Sequence, residues 1–146
     1  MSELRSVQAG PAAGTGAVPD GGTAEEVVLE THPRGAATAR ALVQRLVAPH
    51  APHGTVETAV LLTSELATNA VLHAQGEVVV RVQVGPDLLT VTVTDTSPRT
   101  PALRTPRLDA TGGRGLVLVE ALSSRWGSRL VRGGKAVWFE LALPAR

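Results

Sequence analysis

The chain has no cysteine and very few aromatic residues, and each scarcity excludes a class of protein. Without cysteine there are no disulfide bonds and no thiolate metal sites, which suits a reducing cytoplasm. The aromatic residues are Trp126, Trp138 and Phe139, too few for the stacking surfaces that bind single-stranded nucleic acid. A formal net charge of +1 gives no general attraction to nucleic acid or to anionic membranes.

Long apolar runs are also missing, since none approaches the roughly 20 residues that span a bilayer. The N-terminus lacks the basic segment and apolar stretch of a secretory signal. What is present is an ordinary globular composition, 43% hydrophobic and 18% charged, in a chain of 146 residues. These features predict a soluble cytoplasmic domain with neither a membrane nor a nucleic acid as its direct partner.

The chain divides into a tail and one domain. Residues 1–24 are rich in Gly, Ala and Pro and cannot bury enough apolar surface to offset their ordering entropy, so they are predicted to be a disordered tail. Residues 25–146 are predicted to form the folded domain. Its elements are predicted as a strand (25–30), two helices (from Pro33, and 56–74), a hairpin turning at 85–87, a helix (115–124) and two strands (126–131 and 136–143). This segregation predicts an α+β two-layer sandwich, with a mixed sheet and its helices on one face.

Glu65 and Asn69 stand one helical turn apart in the longer of the two helices. Helical geometry places them among apolar residues, namely Leu61, Leu62, Leu66 and Leu72. An acid and an amide in such a surface need polar partners or a ligand. Glu65 has the chemistry to accept a proton, and Asn69 has an oxygen suited to Mg²⁺ that carries nucleotide phosphates. The alternative is a helix edge where both side chains simply reach solvent.

Two further groups of residues suit a nucleotide. Asp95 ends an alternating strand, where it is placed to accept a hydrogen bond from an exocyclic amine, although a turn-forming aspartate is the alternative. Glycines at 112, 113 and 115 precede a helix, so that free backbone N–H groups face an anion and Arg114 adds a charge-assisted bond. A flexible turn is the alternative there. No Gly-Lys-Ser/Thr follows, so this is not a P-loop.

The order and spacing of these three groups resemble the GHKL superfamily of gyrase, Hsp90-type, MutL-type and histidine-kinase ATP-binding domains. The resembling stretches are ELATNAVLHA (65–74, the N box), DTSPRTP (95–101, the first nucleotide motif), GGRGLVLVEALSSRWG (112–127, the second glycine box) and GGKAVWFEL (133–141, the closing strand). The resemblance runs from about residue 25 to the C-terminus. It is closest to the anti-sigma-factor serine/threonine kinases of partner-switching systems, in the short form common in high-GC actinobacteria.

That resemblance implies a role for each matching residue. Glu65 would be the general base, Asn69 the ligand of the Mg²⁺ that bridges the ATP phosphates, and Asp95 the partner of the adenine amino group. Residues 98–112 would be the ATP lid. The remaining nucleotide-binding residues would be Ser97, Gly113, Arg114, Gly115 and Leu116.

The chain departs from the wider superfamily in two places. Ser97 and Pro98 stand where gyrase-type and Hsp90-type members have a glycine-rich box, which argues against those subfamilies. Ala136 stands where many relatives carry a threonine near the adenine, so a hydrogen bond to the nucleotide would be missing. His73 matches a histidine frequent in the short form and is interpreted as a helix-packing residue.

The resemblance implies ATP and Mg²⁺ as cofactors and transfer of phosphate to a Ser or Thr. The protein substrate would be an anti-sigma-factor antagonist with a STAS domain, exchanged against a sigma factor, and the kinase would be a homodimer. One alternative is an anti-sigma or scaffold protein that binds ATP without transferring phosphate. Another is an interaction domain without nucleotide. DNA binding is disfavoured by the charge and by the absence of a recognition-helix pattern.

Overall fold

The computed structural model describes residues 22–31, 34–74, 76–95 and 113–144. The predicted tail (1–24) therefore lies outside the described residues except at its end, where Thr23 and Ala24 belong to the first strand. The elements are β1 (Thr23–Leu29), α1 (Arg34–Val47), a short 3₁₀ turn (Ala48–His50), α2 (His53–His73), β2 (Val78–Val84), β3 (Leu88–Asp95), α3 (Gly113–Leu122), β4 (Arg125–Val131) and β5 (Gly134–Ala142).

The five strands form one sheet in the order β1-β2-β3-β5-β4, and every neighbouring pair is antiparallel. The predicted α+β sandwich is confirmed, but the prediction of a mixed sheet is corrected. The reason is topological: β4 runs parallel to β3, and β5 folds back as a hairpin and inserts between them. The two parallel strands are thus kept apart, and each pairs with β5 instead.

The core lies between one face of the sheet and the helices. Alternate residues of the central strands form this inner face, where Val80 is opposite Val93 and Val82 is opposite Val91, all buried. The helices contribute Ala, Val and Leu from α1, α2 and α3 to the same cluster. No residue from the opposite face belongs to it, so the described helices lie on one side, as predicted.

Small residues bring α1 close to its neighbours. Ala36 and Ala39 are buried where α1 packs against α2 and the first two strands. Gly35 has the tightest surroundings, since a Cβ atom there would lie 2.2 Å from the backbone oxygen of Glu30. That distance is far inside van der Waals contact, and so the approach of β1 to α1 requires glycine.

The ends of the elements differ from the predictions by a few residues. The helix α2 begins at His53 rather than near Val56, because Pro52, in extended conformation, is its N-cap. The β4–β5 turn uses Gly133 at φ +79°, a conformation that suits glycine. Among the described residues, no helix is long and apolar enough to cross a membrane.

Candidate functional site

The helix α2 holds Glu65 and Asn69 at the margin of the core. Leu62 and Leu66 point inward and are buried, whereas Glu65 and Asn69 are half-buried. Their spacing of four residues places both side chains on one side of the helix, one turn apart. The sequence left two alternatives, an apolar surface that requires a ligand or a helix edge in solvent. The structure lies between them, because the side chains are neither enclosed in the core nor fully in solvent.

Two exposed leucines flank this polar pair. Leu61 is 40% exposed and Leu72 is 62% exposed, and both lie on the same side of α2 as Glu65. Of the four leucines predicted to surround Glu65 and Asn69, two are therefore buried in the core and two are exposed. Half-buried polar groups beside uncovered apolar side chains are typical of a ligand site or a partner surface.

A hydrogen bond that the sequence does not reveal holds α2 beside the pair. Arg40 of α1 donates from Nη1 to Oγ of Ser64, at 3.1 Å and partly buried. Ser64 directly precedes Glu65, so this bond ties the proposed general base to the neighbouring helix. Sequence periodicity assigns Arg40 and Ser64 to separate polar faces, and only the packing of α1 on α2 shows that these faces meet.

Asp95 is the last residue of β3 and is buried at 7% exposure. It pairs in register with Val78 of β2, a core residue, and with Lys135 of β5. Directly opposed residues share a face, so Asp95 lies on the helix side of the sheet. A buried carboxylate at a strand end is suited to accept a directed hydrogen bond from a ligand.

The N-terminus of α3 is the third part of the candidate site. The helix begins at Gly113, so the backbone of the first turn comprises Gly113, Arg114, Gly115 and Leu116. The N–H groups of a first turn have no partner within their helix, and there is no acidic residue in this turn to satisfy them. The helix dipole adds a partial positive charge, and this end of α3 is therefore suited to an anion.

The fold brings these parts to one side of the molecule. The helix α2 packs against both α3 and β3, so the three elements that carry the predicted residues meet at α2. Ser97 and the predicted lid (98–112) lie outside the described residues. His73, the last residue of α2, is exposed, so its interpretation as a helix-packing residue is wrong.

Ala136 does not occupy the position that the sequence suggests. It pairs with Thr94, so its side chain lies on the face of the sheet opposite to Asp95. The prediction of a missing adenine contact at Ala136 is corrected, because strand alternation turns that residue away from the helix side. The neighbours of Asp95 on the same side of β5 are Lys135 and Val137.

The donor set fits a magnesium ion that arrives with nucleotide. Among the described residues, no group of three or more His, Cys, Asp or Glu side chains is placed to hold a metal ion. Mg²⁺ characteristically takes one or two protein oxygens and completes its coordination with phosphates and water. Asn69, half-buried on a helix that packs against α3, could supply the protein share of such a site.

Comparison with known protein families shows to which family this chain belongs. The model of the histidine kinase-like ATPase domain matches residues 29–141, which span β1 to β5. The chain belongs to this family. Membership of the histidine kinase-like ATPase domains confirms the family predicted from the motifs and implies an ATP site. None of the curated proteins matches this chain.

A solved structure shows the same fold. The crystal structure of the RsbU and RsbW domains of Rv1364c from Mycobacterium tuberculosis superimposes on 85% of this chain with a TM-score of 0.65 and 22% sequence identity. The superposition covers 34% of that longer chain. It confirms that the sheet and helices of this histidine kinase-like domain follow the architecture of a known ATPase fold.

Proposed function

We propose that this domain is an ATP-dependent protein serine/threonine kinase of the anti-sigma-factor class. Its substrate is a STAS-type antagonist, and by exchanging that antagonist for a sigma factor it regulates transcription from the cytoplasm, as a homodimer. Three findings support the proposal: the ATPase family, the fold shared with a structure that contains an RsbW domain, and the sequence motifs. The observation that carries it is the half-buried Glu65 and Asn69, one turn apart on a helix that packs against α3.

Each residue has a task in the proposed phosphoryl transfer. Glu65 accepts the proton of the attacking Ser or Thr hydroxyl, and the bond from Arg40 to Ser64 fixes the helix turn on which Glu65 stands. Asp95 accepts a hydrogen bond from the adenine amino group and thereby orients the base. Asn69 presents its oxygen to Mg²⁺, which when bound neutralises charge on the phosphates.

The first turn of α3 serves the phosphates. The N–H groups of this turn have no partner within the helix and are suited to bind an anion. The proposed ligands there are Gly113, Arg114, Gly115 and Leu116, together with Ser97 from the segment between β3 and α3. Such transfer depends mainly on positioning and on charge neutralisation rather than on covalent chemistry by the protein. A site assembled from a helix margin, a strand end and a helix N-terminus meets both needs.

Binding is tested first, by thermal unfolding with and without ATP and Mg²⁺. A ligand at about 100 times its Kd stabilises the folded state by about 2.7 kcal/mol, so the wild-type chain is expected to melt several degrees higher with both present. Asn69→Ala is expected to lose the magnesium-dependent part of this rise. Thr68→Ala is the matched control, since Thr68 is the exposed neighbour on the same helix turn. Equal shifts in wild type and Asn69→Ala would remove Asn69 from the site.

Catalysis is tested separately with Glu65→Gln. The kinase proposal predicts that this variant keeps the magnesium- and ATP-dependent rise in melting temperature but loses transfer of labelled γ-phosphate to a cognate STAS domain. If wild type binds ATP and yet phosphorylates none of the cognate STAS domains, the kinase proposal is withdrawn. The second candidate function, an ATP-binding anti-sigma scaffold without phosphoryl transfer, would then remain, favoured by the exposed leucines as a binding surface.

A further inference from the structure

The inner face of the sheet is open at the end where β3 finishes and β4 turns into β5. Four residues stand in register across this end and share the helix side of the sheet: Val78, Asp95, Lys135 and Leu130. Exposure rises along the row, from 0% at Val78 and 7% at Asp95 to 59% at Leu130, and Lys135 is half-buried. The helix α2 packs against β2 and β3, so at this end β5 and β4 are left accessible.

The next row of the inner face shows the same gradient. Val93 of β3 is buried at 3%, its partner Val137 is half-buried, and Ser128 opposite Val137 is exposed. Val137 and Leu130 thus offer apolar contact close to the carboxylate of Asp95. Small-molecule sites characteristically combine such an apolar surface with a few polar groups that fix the orientation of the ligand. The open end of the sheet is therefore suited to a flat ring with a polar edge.

Lys135 brings a second charged group to this end of the sheet. Directly opposed side chains have their Cβ atoms about 5 Å apart, and the flexible four-carbon stem of a lysine covers that distance. The ammonium can therefore reach a ligand that Asp95 holds. Within the part of the chain that the structure describes, this ammonium forms no hydrogen bond or ion pair. Its three N–H donors are accordingly available to a ligand.

Asp95 and Lys135 have opposite hydrogen-bonding characters. An ionised carboxylate only accepts hydrogen bonds, and an ammonium group only donates them. Adenine presents the complementary pair, because its 6-amino group donates and the adjacent ring atom N1 accepts. This edge of the base is the one that proteins read when it is not paired. An adenine whose amino group is bonded to Asp95 can thus offer N1 to the neighbouring strand, with its sugar at the remote side of the base.

We propose that Lys135 is a second base-reading residue, which donates a hydrogen bond to N1 of adenine while Asp95 accepts one from the amino group. This inference rests on the proposed function only in that Asp95 contacts adenine. Lys135 determines specificity for the base and takes no part in phosphoryl transfer. Its loss should weaken binding of every nucleotide that has an acceptor at N1 and should leave the others unaffected.

Calorimetric titration of the full-length protein, with Mg²⁺ present, tests the contact through three nucleotides: ATP, 1-deaza-ATP, in which a CH group replaces N1, and 7-deaza-ATP. Wild type should bind 1-deaza-ATP about tenfold more weakly than ATP, because a hydrogen bond from a charged donor is lost. It should bind 7-deaza-ATP as well as ATP. Lys135→Met keeps an unbranched side chain and removes the charge. This variant should bind ATP about tenfold more weakly than wild type and should no longer distinguish ATP from 1-deaza-ATP.

Arg132→Met is the matched control, since Arg132 is an exposed cation in the turn before β5 and should bind all three nucleotides like wild type when substituted. Equal weakening of ATP and 1-deaza-ATP in Lys135→Met would mean that the ammonium acts on the phosphates, and would overturn the proposal. A loss with 7-deaza-ATP that disappears in Lys135→Met would move the contact to N7 and overturn it as well. If wild type bound ATP and 1-deaza-ATP alike, Lys135 would not read N1, although the ATP site would stand. If wild type bound no ATP, the nucleotide site itself would fail, and this proposal with it.

Discussion

Gly35 offers a sharp test of the packing that supports the candidate site. It lies in the first turn of α1, where a Cβ atom would come within 2.2 Å of the backbone oxygen of Glu30 and 3.3 Å of Cγ2 of Val71. The first contact is with backbone and cannot be relieved by a side-chain rotation. Gly35→Ala must therefore move α1 away from the end of β1, or displace the chain that follows β1.

The size of the effect follows from what has to move. Overpacking in a well-packed region typically costs about 1–3 kcal/mol, and a backbone clash falls at the upper end or beyond it. We expect Gly35→Ala to lower the free energy of unfolding by about 3 kcal/mol. In a domain of this size each kcal/mol corresponds to roughly 2–4 °C, so the melting temperature should fall by about 6–12 °C.

Chemical unfolding followed by tryptophan fluorescence is the appropriate assay, with Gly54→Ala as the matched control. Gly54 also lies in the first turn of a helix, but a Cβ there meets nothing within 4 Å. Alanine at that position is expected to leave stability unchanged or raise it by up to about 1 kcal/mol. If Gly35→Ala and Gly54→Ala had the same stability within about 0.5 kcal/mol, the steric argument would be refuted, because their difference in surroundings is its whole basis.

Two further predictions concern a surface ion pair and a buried hydroxyl. Hydrogen bonding and charge from the Arg45 guanidinium hold the pKa of Glu25 below its usual value of 4.5, so the pair stabilises the fold fully above that pH and less as the pH falls through the lowered pKa. The melting temperature of wild type should accordingly exceed that of Glu25→Gln near neutrality, and the difference should shrink below about pH 4.5 in a series of thermal scans. Thr63 carries a buried Oγ1 without a partner, and Thr63→Val should raise the free energy of unfolding by about 1 kcal/mol in urea titrations. Thr58→Val should not raise the free energy of unfolding, because it removes the hydrogen bond that Oγ1 of Thr58 donates to the Gly54 oxygen at 3.1 Å.

Each of these two predictions has an outcome that contradicts it. A difference between wild type and Glu25→Gln that stays constant from neutral pH into the acid range would show that Glu25 does not titrate against Arg45. A loss of stability in Thr63→Val comparable with that in Thr58→Val would show that the hydroxyl of Thr63 finds an acceptor in solution.

The sequence predicts the strands and helices of the described part well because their patterns are local. Alternation in β2 and β3 and a turn at residues 85–87 specify a hairpin without reference to the rest of the chain. The order of the strands in the sheet, by contrast, is not set by local patterns. That β5 inserts between β3 and β4 depends on contacts between distant segments, and no local pattern encodes it. The expectation of a mixed sheet failed at this point.

For the site, motif order predicts the family but not the surroundings of each residue. The i, i+4 spacing of Glu65 and Asn69 is a property of one helix and is retained in the structure. The face on which Ala136 lies depends on its register with Thr94, one residue away from the pairing of Asp95 with Lys135. The link from Arg40 to Ser64 joins residues 24 positions apart, beyond the reach of any periodicity.

Stability and nucleotide binding are expected to be coupled through α2, because one helix serves both. Its inner side packs Leu62 and Val71 into the core, and its margin carries Asn69. Gly35 approaches Val71, two residues beyond Asn69, so the clash in Gly35→Ala is transmitted to the helix that holds the proposed magnesium ligand. ATP with Mg²⁺ should therefore raise the melting temperature of Gly35→Ala by less than that of Gly54→Ala, each compared with its own ligand-free protein. If ATP with Mg²⁺ raised both melting temperatures equally, the clash would be relieved by movement of α1 or of the end of β1 and not of α2. The packing at Gly35 would then have no effect on nucleotide binding.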